Sequence, residues 1–287
     1  MKYEFIERER SVFSVERMCL ALKVSRSGFY GWKREKDSGK RVKEDLKLLE
    51  MIQKSYKESR GTYGSPRMTR ELREKGMACG KNRIARLMKQ NNIMAKTRRK
   101  FKATTQSKHP FPVAPNLLNR NFKASAPNRV WLSDLTYIWT EEGWLYLAVI
   151  LDVFNRQIVG WGMGDRLTAD LVLRAFNQAV GMRHPASGLI FHSDRGVQYA
   201  CSEFRKVLQE NKMIQSMSGK GNCYDNAMME SFFHTLKTEL IYFKKYQTRI
   251  EAKGEIFEYI GVFYNRIRRH SSLGYQSPLA FEQQYLS

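Results

Sequence analysis

Residues 129–139 read Arg129-Val130-Trp131-Leu132-Ser133-Asp134-Leu135-Thr136-Tyr137-Ile138-Trp139, and after Glu141-Glu142-Gly143 the chain resumes with Trp144-Leu145-Tyr146-Leu147-Ala148-Val149-Ile150-Leu151-Asp152-Val153-Phe154. Two runs rich in β-branched and aromatic residues, broken by a short Gly-containing turn, predict a pair of adjacent strands. Asn155-Arg156 marks a second tight turn, and residues 157–163 predict a third strand. The period then changes. A helix is expected from Thr168 or Asp170 through Leu171, Leu173, Ala175 and Val180. Residues 188–194 predict a fourth strand, 202–209 a helix, 214–218 a fifth strand and 225–241 a further helix. Three consecutive strands followed by alternating helix and strand is not a doubly wound nucleotide-binding order. It predicts a mixed five-stranded sheet with helices on both faces, the α/β order of a ribonuclease-H-like domain.

Three carboxylates stand at telling places in that order. Asp134 lies on the first strand, Asp194 closes the fourth, and Glu230 falls one turn into the helix that follows the fifth, with 35 residues between Asp194 and Glu230. Phosphoryl transfer needs an activated oxygen nucleophile in line with the phosphodiester, and stabilisation of charge on both the entering and leaving oxygens. Two Mg²⁺ ions about 3.5–4 Å apart provide both. Mg²⁺ is hard and takes oxygen ligands, and Mn²⁺ suits the same donors. Asp134, Asp194 and Glu230 are therefore the candidate metal ligands and catalytic residues. Glu230, His234 and Lys237 share one helix face, which puts Lys237 within reach of a phosphate beside the metals. Asp152, inside the second strand, is a competitor ranked below these three. Asp225 and Asn226 read as helix N-caps, and His192 and His234 as hydrogen-bonded structural residues.

Charge is distributed unevenly. The 287 residues carry 50 Lys and Arg against 28 Asp and Glu, a formal net of +22, and +21 of it falls within residues 1–130. No acidic residue occurs between Glu74 and Asp134. Such a segment suits a polyanion, since each neutralised phosphate releases condensed counterions. Residues 1–45 predict a small helical unit, with Ser14 capping one helix and Ser25 a second short one through Phe29 and Trp32. Over residues 46–102 a second helix-turn-helix-like unit is expected. In it Ser65 and Pro66 start a helix that stops at Gly76, and a further helix from Lys81 places Ile84, Leu87 and Met88 on one face and Arg83 and Arg86 on another. Arg83, Arg86, Lys89, Arg98, Arg99 and Lys100 are the candidate DNA contacts. Residues 103–126 predict a basic linker, and residues 127–287 the catalytic domain with a C-terminal helical extension carrying Arg266, Arg268, Arg269 and His270.

The longest apolar run, from Trp144 to Leu151, is far too short to span a bilayer. The first residues lack a signal-peptide core. Cys19, Cys79, Cys201 and Cys223 have neither metal-binding nor disulfide-framework spacing. A cytoplasmic, nucleoid-associated protein is the expectation.

The chain resembles the DDE transposases of bacterial insertion sequences, in the retroviral-integrase superfamily, and most of all their second-reading-frame products. The stretches that carry the resemblance are Trp131-Leu132-Ser133-Asp134-Leu135-Thr136-Tyr137, His192-Ser193-Asp194-Arg195-Gly196-Val197-Gln198-Tyr199, residues 225–239 from Asp225-Asn226-Ala227 to Lys237-Thr238-Glu239, and Tyr264-Asn265-Arg266-Ile267-Arg268-Arg269-His270-Ser271-Ser272-Leu273-Gly274-Tyr275-Gln276-Ser277-Pro278. Ser27-Gly28-Phe29-Tyr30-Gly31-Trp32 and Tyr63-Gly64-Ser65-Pro66-Arg67 also fit. The resemblance implies an integrase-type core whose DDE triad falls on Asp134, Asp194 and Glu230 and whose basic residue falls on Lys237. It further implies Mg²⁺-dependent cleavage at terminal inverted repeats, joining to target DNA, multimers on DNA, and partnership or fusion with the first-frame product of the same element. No His-His-Cys-Cys zinc module precedes the core, and no four-heptad apolar repeat is present. Two other readings stay open: a non-catalytic DNA-binding regulator of transposition, and a nuclease acting on RNA–DNA hybrids.

Overall fold

The computed structural model describes residues 1–96, 111–219 and 223–287. The chain forms two compact units, Met1–Ala95 and Lys96–Ser287. Arg98, Arg99 and Lys100 lie outside the described residues. No described helix is long and apolar enough to cross a membrane.

The first unit is helical: α1 (Lys2–Glu9), α2 (Val15–Ala21), α3 (Arg26–Glu58), α4 (Ser65–Glu74) and α5 (Lys81–Gln90). Ser14 and Ser25 cap α2 and α3 as expected, accepting from the main-chain N–H of Arg17 and Gly28. The short second helix of the sequence reading is instead the start of a 33-residue helix. Each end of α3 is held by its own core. Phe29 packs with Ile6, Met18 and Cys19 at one end, and Leu48 and Ile52 with Met68, Leu72, Ile84, Leu87 and Met88 at the other. No proline interrupts the stretch between them, so the helix runs on through residues 45 and 46, where the sequence had suggested a domain boundary. One cap also differs: Gly64, not Ser65, is the N-cap of α4, and Ser65 is already helical. Gly76, at φ +81°, follows the end of that helix as expected.

In the second unit come β1 (Val130–Thr140), β2 (Gly143–Asp152), β3 (Ile158–Gly164), α6 (Ala169–Arg183), β4 (Ile190–Ser193), α7 (Val197–Ala200), α8 (Ser202–Glu210), β5 (Ile214–Met217), α9 (Ala227–Glu239), α10 (Arg249–Glu258) and α11 (Pro278–Leu286). The sheet order is β3-β2-β1-β4-β5. Its first three strands are antiparallel, while β4 runs parallel to both β1 and β5. Alternation along the strands separates two cores. Val130, Leu132, Leu145, Leu147 and Val149 face α9, α10 and the π-helical turns Tyr259–Tyr264. Trp131, Ala148 and Ile150 face α6 and α8.

Helix α6 sits directly on the backbone of β3. A Cβ added at Gly160 would lie 2.2 Å from the Ala175 carbonyl oxygen, and one at Gly162 2.5 Å from that of Leu171. Only glycine allows this approach.

Residues 115–118 do not hang free as a tether. The Pro115 carbonyl accepts from Met217 N–H, the Leu117 N–H donates to Ser216 Oγ, and Leu118 is buried in the α9-side core. The C-terminal arginines also differ from expectation, because α10 and its π-helical extension end at Tyr264. Asn265 then brackets Ile158, accepting from its N–H and donating to its carbonyl, both at 2.9 Å. Arg266, Arg268, Arg269 and His270 therefore follow in a turn rather than on a helix.

Candidate active site

The parallel pairing of β1 and β4 builds the site. Its last register pair is Ser133 with Ser193, so the next residues on the two strands, Asp134 and Asp194, leave the ladder side by side. Strand β1 continues against β2, with Asp134 opposite Val149, whereas β4 ends. The divergence opens a crevice at the carboxyl end of β4, the usual ligand position in open sheets containing parallel strands. Asp134 accepts from the N–H of Leu135 at 2.8 Å, and Asp194 from the N–H of Gly196 at 3.0 Å. The second contact closes a tight turn after β4, and it fixes the carboxylate at the crevice.

Helix α9 is tied to the same point. Asn226, the residue before its first turn, donates its side-chain amide to the Ser133 carbonyl at 3.4 Å. Glu230 lies four residues on, one helical turn above Asn226 on the same face. Its side chain is exposed and Asp134 is half-buried. Burial first, then the charges of Asp194 and Glu230, push the Asp134 carboxyl well above its ordinary range. Burial alone raises Glu230. Among the described residues no group of three or more His, Cys, Asp or Glu side chains is gathered closely enough to hold a metal ion. Asp134 and Asp194 are the close pair, and Glu230 stands at the rim.

Lys237, two turns further along α9, places its ammonium 5.4 Å from the centroid of the Tyr137 ring. Burial lowers its pKa and the Asp134 charge opposes that shift, so Lys237 senses Asp134.

The competing residues sit elsewhere. Asp152 pairs with Trp131, three register steps from Asp134, and is fully buried. It accepts from the N–H groups of Asn128 and Phe154, and burial raises its pKa to about 6. His192 is structural as expected: its ring nitrogens bond Ser216 and Ser218, and burial lowers its pKa to about 4. His234 is exposed on α9. Asp225 is not a helix cap; its buried carboxylate receives the Gly219 N–H, Asn116 Nδ2 and Arg120 Nε.

In the first unit the apolar face of α5 is buried as expected. Arg83 and Arg86 are both engaged by Asp45 of α3, at 2.7 and 2.6 Å, and Arg83 also meets Glu44. Lys89 is exposed. Helix face and the acid-free basic stretch around them point these arginines toward DNA, but the structure turns both onto Asp45, and Arg83 also onto Glu44, of the long helix.

Sequence reasoning missed two supports of the site. Asn226 holds α9, and Tyr199 shares a 2.8 Å hydroxyl–hydroxyl hydrogen bond with Ser133 beneath Asp134. The first was legible in principle, because Asn226 precedes Glu230 by one turn. The second depends on α7, a four-residue helix with no periodicity to read.

Mixed sheet, crevice and paired aspartates define an integrase-type core, and residues 124–223 and 230–286 match integrase core domain families. Residues 43–101 match an HTH-like domain. The chain is 40% identical over its full length, and over the whole of the relative, to the transposase InsF for insertion sequence IS3A of Escherichia coli (strain K12). It is 48% identical, across 93% of this chain and 98% of the relative, to an uncharacterized 31 kDa protein of insertion element IS600 from Shigella sonnei. The chain belongs to the InsF-type transposases of IS3-family insertion sequences. Among solved structures it is similar to a simian T-cell lymphotropic virus intasome, at 14% identity, covering 77% of this chain and 70% of that chain, with TM-score 0.49. It is also similar to the HTLV-2 integrase catalytic core domain in complex with magnesium, at 15% identity, 56% and 99% coverage, and TM-score 0.43. By its integrase core domain and its InsF relatives, the chain is a transposase of the DDE polynucleotidyl transferase class.

Proposed function

We propose that Asp134, Asp194 and Glu230 are the catalytic carboxylates with which this transposase frees the 3′ ends of its insertion sequence at the terminal inverted repeats and joins them to another DNA strand. The observation that carries the assignment is the register of β1 and β4, which sets Asp134 beside Asp194, together with the Asn226 bond that fixes the helix bearing Glu230 to the same strand.

The donor set fits a divalent cation. Two neighbouring carboxylates, the one on Asp134 held back from ionising by burial and by the Asp194 charge, suit Mg²⁺, with Mn²⁺ as a substitute. Asp134 and Asp194 would hold it, with Glu230 completing the set from the rim and substrate oxygens and water filling the rest. Bound there, a pair of such ions supplies Lewis-acid stabilisation of the entering and leaving oxygens. The chain's own residues do the positioning. Gly196 N–H orients the Asp194 carboxylate and Leu135 N–H that of Asp134. Lys237 offers its ammonium to a phosphate oxygen at the edge of the crevice.

The helical first unit is assigned to DNA engagement, with Lys89 and the basic residues Arg98, Arg99 and Lys100 as phosphate contacts. Arg83 and Arg86 are available to DNA only by exchanging Asp45, so they rank below Lys89. Assembly as a multimer on DNA, cooperation with the first-frame product of the element, and residence on the nucleoid belong to the same reading.

The test is strand cleavage and joining on a labelled duplex carrying the element's terminal repeat, with Mg²⁺ or Mn²⁺, and Glu230→Gln alongside. Metal-dependent release and transfer of a 3′ end, absent in Glu230→Gln, is the expected result. Binding without cleavage, unchanged when the first-frame product is added, makes the chain a non-catalytic regulator and overturns it.

A further inference from the structure

Beyond the carboxylates, β1 and β2 carry a surface that the cleavage chemistry does not use. Tyr137, Trp139 and Trp144 are 38%, 55% and 42% exposed, although large aromatic side chains contribute most when buried. They form one herringbone. Tyr137 and Trp139 each lie 4.9 Å from Trp144, with ring planes at 83° and 77° to it. Trp139 and Trp144 are direct cross-strand partners, so the cluster belongs to the sheet and not to a loop.

The hairpin that bears them is braced. Glu141 N–H donates to the Tyr246 carbonyl, Arg249 N–H to the Glu142 carboxylate, and Arg249 Nε to the Trp144 carbonyl at 3.0 Å. A rigid aromatic face with cations at its margin is what stacks nucleobases without reading their sequence. Here the cations are Lys237, over the Tyr137 ring, and Arg249 beside Trp144.

Position decides the occupant. Tyr137 is three residues along β1 from Asp134, about 10 Å, and Trp139 five, about 17 Å. The odd spacing turns both rings to the other face of the strand, so a nucleotide chain reaching them passes the edge of β1 that its pairing with β4 leaves beyond Ser133. Those are the distances of the first few nucleotides from a phosphate held at the carboxylates. Lys237 joins the two places, touching the Tyr137 ring while sensing Asp134.

We infer that Tyr137, Trp139 and Trp144 form a stacking platform for an unpaired base of the DNA end, within a few nucleotides of the phosphate under attack. Opening the terminal base pairs gives a carboxylate crevice access to a phosphate that the closed duplex presents poorly. The platform captures a base released by that opening. It rests on the assignment of the carboxylate site, but base capture and cleavage are separate events and are read separately.

The experiment uses the full chain and a terminal-repeat duplex with 2-aminopurine at each of the last positions in turn, without divalent metal. The wild type is expected to change the probe's fluorescence at one or two positions. Trp144→Ala and Trp139→Ala lose that change while binding the duplex, and Trp144→Phe keeps it. In Mg²⁺, cleavage by Trp144→Ala falls about tenfold, in line with one lost base stack, and recovers on a duplex whose terminal bases are mismatched beforehand. Equal fluorescence in wild type and both alanine variants overturns the platform. So does a fall in mass from dimer to monomer in Trp144→Ala, which would make the aromatic face a contact between copies of the chain. If no protein cleaves but the metal-free signal follows Trp139 and Trp144, the platform stands and the catalytic assignment fails.

Discussion

Asn226 reaches from the foot of α9 to the main-chain carbonyl of Ser133, the residue before Asp134, at 3.4 Å. One side-chain amide thereby sets the distance between the helix-borne glutamate and the strand-borne aspartates. The other end of that amide, Oδ1, is buried with no partner among the described residues, so the group is held for its donor alone. Losing an oriented contact of this kind misplaces Glu230, and a shift of order 1 Å can cost about 10²-fold in rate. Asn226→Ala is expected to lower turnover by about 10- to 100-fold with DNA affinity unchanged. Asn226→Gln, whose longer side chain retains the donor, is expected to recover part of the loss. Single-turnover cleavage beside a binding titration separates the two effects.

The raised Asp134 carboxyl gives a pH signature. Its pKa lies above the ordinary carboxylate value because burial and the Asp194 charge disfavour ionisation, so between those two values the folded protein holds a proton that the unfolded chain does not. Without metal, stability from this group therefore falls as pH rises through that window. A divalent cation needs the ionised form and displaces the proton, so its binding weakens as pH falls. Thermal stabilisation by Mn²⁺ is expected to be larger at pH 8 than at pH 5.5 and to vanish in Asp134→Asn. A Mn²⁺ shift that ignores pH, or survives that substitution, removes Asp134 from the ligand set.

Much of the core was legible. β1, β2 and β3 are long enough to declare themselves by composition, and Asp134 falls on β1, Asp194 directly after β4 and Glu230 on α9. What escaped depends on partners distant in sequence. Arg83 and Arg86 read as groove-facing until Asp45, some 40 residues earlier, is brought against them by the unbroken α3. Arg268 reads only as one of several basic residues on a C-terminal helix, because nothing nearby announces that Glu239 is its partner. At the glycines of β3, only the docked α6 shows why a side chain is excluded.

Gly160 tests that last relationship. Its missing side chain is matched to a main-chain oxygen, which cannot turn aside as a side chain would. Gly160→Ala must push α6 off the sheet, and overpacking of this type costs about 1–3 kcal/mol. Gly181, with nothing near its absent Cβ, is the control. Gly181→Ala is expected to leave stability unchanged or raise it slightly, through helix propensity. Urea midpoints of the two variants decide the matter.

His192 predicts a limb of acid instability. Burial lowers its pKa from 6.5 to about 4, so between those values the unfolded chain binds a proton that the folded protein refuses. Stability is thus lost as pH falls from about 6.5 to about 4, by up to roughly 3 kcal/mol at full effect. Asp152, raised to about 6, works in the opposite direction over the lower part of that range. The two cannot be separated in the wild type alone. His192→Gln, which keeps a donor and an acceptor for Ser216 and Ser218, is expected to flatten the fall in melting temperature between pH 6.5 and 5. An unchanged slope assigns the acid limb to other groups.

The C-terminal arginines divide by burial. Arg268 is 4% exposed, donates from Nε and Nη2 to Glu239 at 2.8 and 2.7 Å, and shares that carboxylate with the Tyr259 hydroxyl. Arg266, two residues earlier, is exposed. Removing one partner of a buried ion pair strands the other, at a cost of about 3–5 kcal/mol. Arg268→Ala is therefore expected to lower the melting temperature sharply, whereas Arg266→Ala leaves it in place. If the segment also touches DNA, the effect must appear the other way round. Arg266→Ala would then weaken duplex binding and reduce its salt dependence by about one unit of slope, as expected for one phosphate contact. Melting curves and salt-dependent binding on the two single variants thus read the structural and the DNA-facing arginine independently.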